Sequence, residues 1–394
     1  MKISIKKYLL YSSVFAIFTE AFFFNFIIDW KLLYLIVIVN YFLLLKIKAL
    51  KFNIYFVGII LGIFIHALIT NTIIGVPYNY MLAQIIGITI LGTYYYNFIP
   101  LYEPKEIIRV YTKMCVYVAV IGYIFYFLNI NLNDGRLQSI FKEPAHYVIV
   151  IIPACYYYLK EKKYLQFGIL FGTLILSNSS LGYIGCALMF IVPNISWKRL
   201  QYLFASVPLV IGILYYVYQE YPFFKMRIEE TYESMNVINT GKFKEYTNLS
   251  SYALISNLNI AKQNIEDHPF GSGIGSHVYM HTSVYLKNIR PPEYLRFQRK
   301  HDINASDANS LFTRMVSEMG ILGFLLIVTL LYYAAKVFSD KKMALAQGIF
   351  IYILLKLFRD GHYFPPELFF FIWLFYYDYR NRIVENNPPA IETT

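Results

Sequence analysis

The sequence predicts an all-α polytopic membrane protein with about 12 transmembrane helices and one long extracytoplasmic loop. Of its 394 residues, 58% are hydrophobic and only 15% are charged, whereas soluble domains carry about 25% charged residues. Many apolar runs approach the roughly 20 residues that a helix needs to cross a bilayer. The three cysteines lie in apolar runs and show no spacing typical of disulfide or metal sites. These observations exclude an ordinary soluble enzyme.

Nine apolar runs precede the polar segment and make residues 1–218 the first transmembrane region. They cover approximately 8–28, 32–45, 54–70, 81–98, 114–130, 146–159, 164–177, 181–195 and 201–218. The first run has no small-residue cleavage site, so we expect an uncleaved anchor. Three more runs, 310–335, 343–358 and 363–377, fill a second transmembrane region over 310–378, and residues 379–394 form a tail.

Basic residues predict the orientation of these spans. When alternate loops are assigned to the two sides, one side receives nineteen Lys and Arg residues and the short loops of the other side receive four. Cytoplasmic loops carry such an excess, so both termini and the tail are expected in the cytoplasm. The net charge of +11 therefore reports orientation, and no nucleic-acid partner is expected.

The predicted extracytoplasmic loop spans residues 219–309. It holds ten basic and ten acidic residues and four of the seven histidines. Apolar residues at Ile255, Leu258, Ala261 and Ile265 recur at helical spacing, and Pro269 ends the pattern, which predicts an amphipathic helix. The alternating Gly271, Gly273 and Gly275 follow, and such glycines can turn backbone N–H groups toward an anion.

Ionisable residues collect at the outward ends of the predicted spans. Arg136, Glu143 and His146 lie in one short loop, where the alternative is a solvated loop before a helix that starts at Pro144. Arg314 and Glu318 share a helix face, where the alternative is an internal salt bridge that neutralises both. A further cluster stands near the end of the chain: Lys356, Arg359, Asp360, His362 and Glu367. Together these groups predict one outward-facing site.

The chemistry of this site favours a phosphate carried on a lipid. Arginine binds phosphate through paired hydrogen bonds without a metal. The sequence has no Asp-x-Asp pair to hold the divalent ion of a nucleotide-sugar donor. We therefore expect no metal and no cofactor.

Four motifs in this order resemble the bacterial O-antigen polymerase and O-antigen ligase superfamily, over about residues 100–330. They are Gly135-Arg136, Phe141-x-Glu143-Pro144-Ala145-His146, Pro269-Phe270-Gly271-x-Gly273-x-Gly275, and Asn309-Ser310-Leu311 running into Glu318-x-Gly320-Ile321-Leu322-Gly323. The resemblance implies a lipid-carrier-dependent glycosyltransferase of GT-C-like architecture in the bacterial inner membrane. It implies a polyprenyl-pyrophosphate-linked oligosaccharide as substrate at the outer face. In the ligase branch a His precedes the motif Asn, whereas this chain reads Asp307-Ala308-Asn309, which favours the polymerase branch.

On this interpretation the protein polymerises repeat units into a surface polysaccharide, such as O-antigen, capsule or exopolysaccharide. The candidates for the catalytic base are, in order, Glu143, His146, His277 and Glu318. The groups expected to bind pyrophosphate or sugar are Arg136 and Arg314, with Arg290, Arg296 and Arg299 as alternates, assisted by Gly271, Gly273, Gly275 and Asn309. A chain-length regulator and a flippase of the same pathway are the expected protein partners.

Two other functions fit part of the pattern. A ligase would use the same donor site but transfer the glycan to a lipid, protein or wall acceptor. A flippase or transporter also commonly has about 12 spans, but its halves are usually related repeats. Here the long loop divides the predicted spans into nine and three, which argues against transport.

Overall fold

The computed structural model describes residues 4–26, 28–130, 135–194, 237–340, 342–365 and 367–386, together with residues 215, 219, 220, 225, 229 and 232. Four of its helical segments are long and apolar enough to cross a membrane: Ile54–Ile74, Tyr78–Leu101, Pro104–Phe127 and Leu311–Phe338. Four shorter apolar helices accompany them: Leu32–Lys46, Tyr164–Leu176, Ser180–Ile191 and Ala344–Phe358. The chain is therefore a predominantly α-helical, multi-pass membrane protein. The predicted ninth span, 201–218, lies outside the described residues except for residue 215.

The helices, numbered in chain order, are α1 (Ile5–Ala16), α2 (Leu32–Lys46), α3 (Ile54–Ile74), α4 (Tyr78–Phe98), α5 (Pro104–Phe127), α6 (Pro144–Lys160), α7 (Tyr164–Leu176), α8 (Ser180–Ile191), α9 (Leu249–Asp267), α10 (Glu293–Phe297), α11 (Leu311–Ala335), α12 (Ala344–Phe358) and α13 (Leu368–Asn386). A short 3₁₀ segment, Ile99–Leu101, continues α4. Another, Lys336–Ser339, continues α11.

The expectation of one continuous span over 8–28 is wrong. Helix α1 ends at Ala16, and an antiparallel hairpin of β1 (Phe23–Phe26) and β2 (Ile28–Lys31) follows. Aromatic and β-branched residues, which favour strands, dominate the sequence of this hairpin, and a short apolar run of this kind cannot be distinguished from helix by periodicity. The turn before the hairpin carries Glu20, and β2 ends at Lys31.

Helix α6 lies at the centre of the bundle and packs against α7, α8 and α12. It begins with Pro144 at its first position, where the missing N–H costs nothing. Most of its residues after the first turn are buried. Gly348 of α12 lies against it so closely that a Cβ there would be 2.8 Å from the Pro153 carbonyl oxygen. This tight packing holds α6, whose first turn carries His146, against α12.

Residues 237–309 form a polar lobe with its own small core. The lobe contains α9, which covers the segment whose periodicity predicts a helix, and a helical segment from His277 to Asn288. Helix α9 starts at Asn248, whose side chain accepts a hydrogen bond from Ser251 N–H. The core of the lobe is formed by Val237, Phe243, Tyr252, Ile255, Ile260, Met280, Tyr285, Ile289 and Leu295, with Val76 from the end of α3.

The loop Pro269–Gly275 joins this lobe to α11 at a kink. Gly320 has φ 57° and ψ −136°, which interrupts the helical backbone of α11. Ile321 N–H donates to Pro269 O at 3.1 Å, and Gly273 N–H donates to Glu318 O at 2.7 Å. A Cβ on Gly320 would lie 2.1 Å from Pro269 O. The glycines thus allow two backbones to dock directly.

We predict that Gly320→Ala destabilises the protein by about 1–3 kcal/mol, because a side chain at this φ is strained and has no space. Gly168→Ala is the matched control: Gly168 lies inside α7, and a Cβ there would meet no atom within 4 Å, so the change should be neutral or slightly stabilising. The measurement is the thermal unfolding midpoint of the purified protein in detergent. Equal midpoints for the two variants would contradict this account of the kink.

Candidate active site

A cavity of about 480 Å³ opens where six separate pieces of the chain meet. The pieces are the turn after α1, the end of β2, the start of α6 with the two residues before it, the start of α8, the segment 304–309 of the lobe and the turn 359–362 after α12. Its lining residues are Glu20, Lys31, Lys142, Glu143, Ala145, His146, Leu181, Asn304, Ser306, Asp307, Asn309, Arg359, Asp360 and His362. A smaller cavity of about 50 Å³ shares Glu20, Lys31, His146, Asp360 and His362 and reaches Glu367.

His146 and Glu20 form a carboxylate–imidazole pair at this cavity. His146 Nδ1 lies 2.5 Å from Glu20 Oε1, and the two side chains are 26% and 13% exposed. An Nδ1–H that donates to the carboxylate leaves Nε2 as the basic nitrogen. Within the described chain, Nε2 has no hydrogen-bond partner, and the ring belongs to the lining of both cavities. The ring is therefore positioned to exchange a proton with a bound group.

The two loop segments of the cavity wall have unusual backbone conformations. Positive φ angles occur at Asn304 (58°), Ala308 (54°), Asn309 (59°) and Asp360 (72°). Non-glycine residues rarely adopt this region, and they cluster at functional sites. The segments are joined to each other, since Asp360 N–H donates to Asn309 O at 3.1 Å. Their close contact requires Gly361, where a Cβ would collide with Asp307 O.

Arg314 holds this wall in place through a hydrogen bond to Gly361, without lining the cavity. Its Nε donates to Glu318 Oε1 at 3.1 Å, and its Nη1 donates to Gly361 O at 3.1 Å. The guanidinium also lies 4.3 Å from the ring centroid of Tyr363. The side chains of Arg314 and Glu318 are 3% and 0% exposed, and neither lines the cavity. The geometry therefore favours the internal salt bridge over direct contact with a substrate.

A second buried ion pair lies beneath the cavity. Lys356 Nζ contacts Asp360 Oδ2 at 2.8 Å, with side chains 0% and 7% exposed. Burial by itself would raise the pKa of Asp360, but the Lys356 ammonium and the nearby His362 outweigh it and hold that pKa well below its ordinary value. Asp360 is therefore a carboxylate at neutral pH. Tyr352 O–H donates to Glu367 Oε1 at 3.1 Å in the same region.

Asp307, Asp360 and His362 each offer one ligand atom, and these atoms lie within 4.8 Å of one another. This spacing would allow them to share a metal ion. However, Lys356 already neutralises Asp360, and His362 Nε2 stands 3.9 Å from Asp307 Oδ2 as a direct partner. The expectation that the protein needs no metal stays a prediction.

The comparison with protein families adds one observation. A family model described as O-antigen ligase matches residues 165–328, somewhat less than half of the chain. This region includes α7, α8, the lobe, the glycine loop and the first part of α11. The match supports the resemblance to the O-antigen ligase and polymerase superfamily. No curated protein matches the chain.

The match supports a coarse role in surface-glycan assembly in a membrane, and the family implies a lipid-linked oligosaccharide as substrate. Three of the residues that the sequence predicts for the site line the cavity: Glu143, His146 and Asn309. Asn309 is 3% exposed, and its Oδ1 accepts a hydrogen bond from Asn304 at 2.9 Å. The same cavity thus unites the Glu143-Pro144-Ala145-His146 motif with the Asn309-Ser310-Leu311 motif.

The other predicted arginines lie elsewhere. Arg136 Nε donates to Ser177 O at 3.3 Å, and Arg136 does not line the cavity. Arg290 and Arg296 line a different cavity, on the lobe. Arg299 is exposed and lines neither cavity. The basic residues that do line the active-site cavity are Lys31, Lys142 and Arg359.

Two amide N–H groups of the glycine loop already donate hydrogen bonds to carbonyl oxygens of the protein. Gly271 N–H donates to His268 O, and Gly273 N–H donates to Glu318 O, both at 2.7 Å. All three glycines have positive φ, and a Cβ on Gly275 would lie 2.4 Å from Tyr80 O. These two amides are therefore not available to a phosphate. The loop positions α11 and the lobe.

The structure adds residues that the sequence did not assign to the site. The predicted first span, 8–28, contains Glu20 and ends shortly before Lys31. A continuous span gives no reason to expect either residue near His146. The only signal in the sequence was an isolated carboxylate, Glu20, within an apolar run. Asp307, Arg359, Asp360 and His362 belonged to clusters that the sequence indicates, but their roles were not predicted.

His277, a predicted base, lies inside the lobe. Its Nδ1 is 2.8 Å from Ser317 Oγ, and its Nε2 is 3.0 Å from Asn257 Oδ1. It is 0% exposed, and burial lowers its pKa well below the ordinary value. A neutral ring satisfies both contacts. His277 therefore belongs to the polar core that attaches the lobe to α11, as does Glu318, whose Oε1 accepts His277 N–H at 3.2 Å.

His281 lies beside it with its ring centroid 6.2 Å away. It is 0% exposed, and neither ring nitrogen has a hydrogen-bond partner in the described part of the chain. Burial lowers its pKa to about 4, while Asp302 acts in the opposite direction. Both histidines are therefore neutral in the folded lobe near neutral pH.

We predict that the lobe loses stability on acidification. The pKa of His281 is about 4 in the folded state against an ordinary 6.5, so between these values the unfolded chain binds more protons and stability falls as pH falls. The loss from His281 alone should be on the order of 3 kcal/mol. His281→Leu should reduce the pH dependence of the thermal midpoint between pH 4 and pH 7, whereas His268→Gln, at a half-exposed position, should leave it unchanged. An identical pH dependence in all three proteins would count against the prediction.

We also predict that Glu318→Ala destabilises the protein by about 3–5 kcal/mol, because it leaves the buried Arg314 unpaired. The double variant Arg314→Met/Glu318→Leu, which removes both charges and fills the space, should recover a large part of this loss. Thermal unfolding of the wild type and both variants measures the effect. If the double variant is as unstable as the single variant, the destabilisation does not come from an unpaired Arg314 charge, and the prediction is wrong.

Proposed function

We propose that the protein is a repeat-unit polymerase that transfers a growing saccharide from polyprenyl pyrophosphate to a hydroxyl of an incoming lipid-linked oligosaccharide, at the outer face of the cytoplasmic membrane. The observation that carries the proposal is the cavity in which three cationic side chains adjoin the His146–Glu20 pair. A leaving pyrophosphate needs positive charge, and an attacking hydroxyl needs a base. This cavity contains both.

The cations Lys31, Lys142 and Arg359 are the groups that we assign to the pyrophosphate. As the bond between the anomeric carbon and the phosphate oxygen breaks, its electron pair stays on the pyrophosphate and increases the negative charge there. Fixed cations stabilise this charge more than they stabilise the bound substrate. Asn309, which lines the same cavity, is the group that we assign to a polar contact with sugar or phosphate.

His146 is the group that we assign as the general base. The acceptor hydroxyl oxygen forms the new bond to the anomeric carbon, and its proton passes to His146 Nε2. Glu20 holds the ring in the required tautomer and stabilises the imidazolium that forms. Glu143 and His362 line the same cavity and are the alternative bases.

The choice between polymerase and ligase rests on opposing observations. The matched family model is described as O-antigen ligase, which supports a ligase. The chain lacks a His before Asn309, which supports a polymerase. His362 Nε2 lies 3.9 Å from Asp307 Oδ2, two residues before Asn309. Both reactions would use the same donor site, and the product distinguishes them.

The test is reconstitution of the purified protein in liposomes with a lipid-linked repeat unit, with the products separated on a gel. A polymerase gives a ladder of repeats, whereas a ligase gives a single transfer to a different acceptor and no ladder. We predict that His146→Ala lowers the transfer rate about 10²- to 10⁴-fold, as expected for loss of a general base. Glu20→Gln should lower it less and shift its pH profile, because the ring remains but its carboxylate partner is lost.

Arg359→Gln tests the role of positive charge at the cavity, and Arg299→Gln is its matched control. Arg359 lines the cavity and Arg299 is an exposed arginine that does not, so only the first change should reduce the rate. Thermal midpoints of all variants should match the wild type, which separates loss of chemistry from loss of fold. Full activity of His146→Ala together with Arg359→Gln would overturn the assignment.

A further inference from the structure

The lobe carries a second cavity that is separate from the active-site cavity. Its volume is about 540 Å³, and two stretches of chain line it, 242–245 and 290–296. The lining residues are Lys242, Phe243, Glu245, Arg290, Pro291, Glu293 and Arg296. None of them lines the cavity that contains His146. The two arginines that the sequence offered as alternates for pyrophosphate therefore belong to a different place on the molecule.

The backbone of this cavity is fixed by the protein. Arg290 N–H donates to Gly241 O at 2.8 Å, and Phe243 N–H donates to Arg290 O at 3.1 Å. Gly241 has φ 65°, and a Cβ there would lie 2.4 Å from Asn288 O, so the two stretches approach as closely as backbones can. Pro291 follows directly and restricts the chain further. A ligand would meet a formed site and would lose little binding energy to ordering it.

More cationic than anionic side chains line this cavity. Three cations, Lys242, Arg290 and Arg296, face two carboxylates. Of these carboxylates, Glu245 accepts the backbone N–H of Glu293 at 2.7 Å and is engaged at the start of α10. In the part of the chain that the structure describes, no carboxylate oxygen lies within 4.0 Å of the charged nitrogens of Arg290 or Arg296.

The arginines of the lobe cavity differ from the buried cations of the helical bundle. Arg314 and Lys356 are buried, and each is paired with a carboxylate four residues away. Arg290 and Arg296 are exposed, and they line one cavity together with Lys242. A guanidinium binds phosphate or carboxylate through paired, directional hydrogen bonds. The chemistry that completes this cavity is therefore an oxyanion.

We propose that the lobe cavity is a binding site for an oxyanion, a phosphate or carboxylate group, held by Arg290, Arg296 and Lys242. The group could be carried by a soluble saccharide or by the headgroup of an anionic lipid, since both present the same chemistry to the arginines. The proposal does not depend on the reaction proposed above, because the two cavities share no lining residue.

The test uses the full-length protein in nanodiscs and hydrogen exchange followed by mass spectrometry, which reports where a ligand binds. Three probes are compared: inorganic pyrophosphate, a tetramer of galacturonic acid, and phosphatidylglycerol in place of phosphatidylcholine in the nanodisc. Binding at the cavity should slow exchange in peptides covering 240–246 and 288–297. Protection by either soluble probe identifies a soluble or glycan-borne anion, and protection by phosphatidylglycerol alone identifies a lipid headgroup.

The double variant Arg290→Gln/Arg296→Gln should lose this protection and weaken the affinity of the effective probe at least 10-fold, a change of about 1.4 kcal/mol. Arg299→Gln, which removes an arginine from the same stretch without touching the cavity, should bind like the wild type. Unchanged thermal midpoints would show that the lobe of each variant is folded. No protection by any probe, or an equal loss in Arg299→Gln, would overturn the proposal.

Discussion

The arrangement of the active-site cavity depends on the buried pair of Arg314 and Glu318. Through this pair, α11 is connected to three other parts of the molecule: the turn after α12 through Gly361, the lobe through the backbone of His277, and the ring of Tyr363. A charge pair without water is costly unless every hydrogen-bonding group around it is placed well. The pair therefore restricts the two loop segments to the conformation that brings Asn309 beside Asp360.

The backbone of the same region shows the cost of this arrangement. The wall contains four non-glycine residues with positive φ, and the glycines at 320 and 361 permit approaches that a side chain would prevent. Such strain persists only when the surrounding structure over-determines it. Here the surroundings are the kinked helix α11, the glycine loop and the closely packed helix α6. These packed elements hold the loop segments that line the cavity.

The sequence predicted the membrane class and three residues of the candidate site, because those features depend on local pattern. Apolar length alone located α3, α4 and α11, and the spacing of Ile255 and its successors located α9. Clusters of ionisable groups at span ends indicated His146 and the turn at Asp360, and the motif resemblance indicated Asn309. The hairpin that brings Glu20 to His146 was missed, because a short aromatic run has no period that separates strand from helix. The spacing of Arg314 and Glu318 showed that they share a face, but no spacing shows whether that face points to a substrate or to the protein.

The balance of charges around the active-site cavity has a consequence for turnover. Three cations and four carboxylates, those of Glu20, Glu143, Asp307 and Asp360, line it, so the formal balance with neutral histidines is −1. On the proposed mechanism, the transfer of a proton to His146 adds one positive charge at the moment when the pyrophosphate gains negative charge. Once that proton leaves, the carboxylates again outnumber the cations and repel the freed carrier. Release of the spent lipid would then be coupled to deprotonation of the base, and product departure would become slower as the outside medium becomes more acidic.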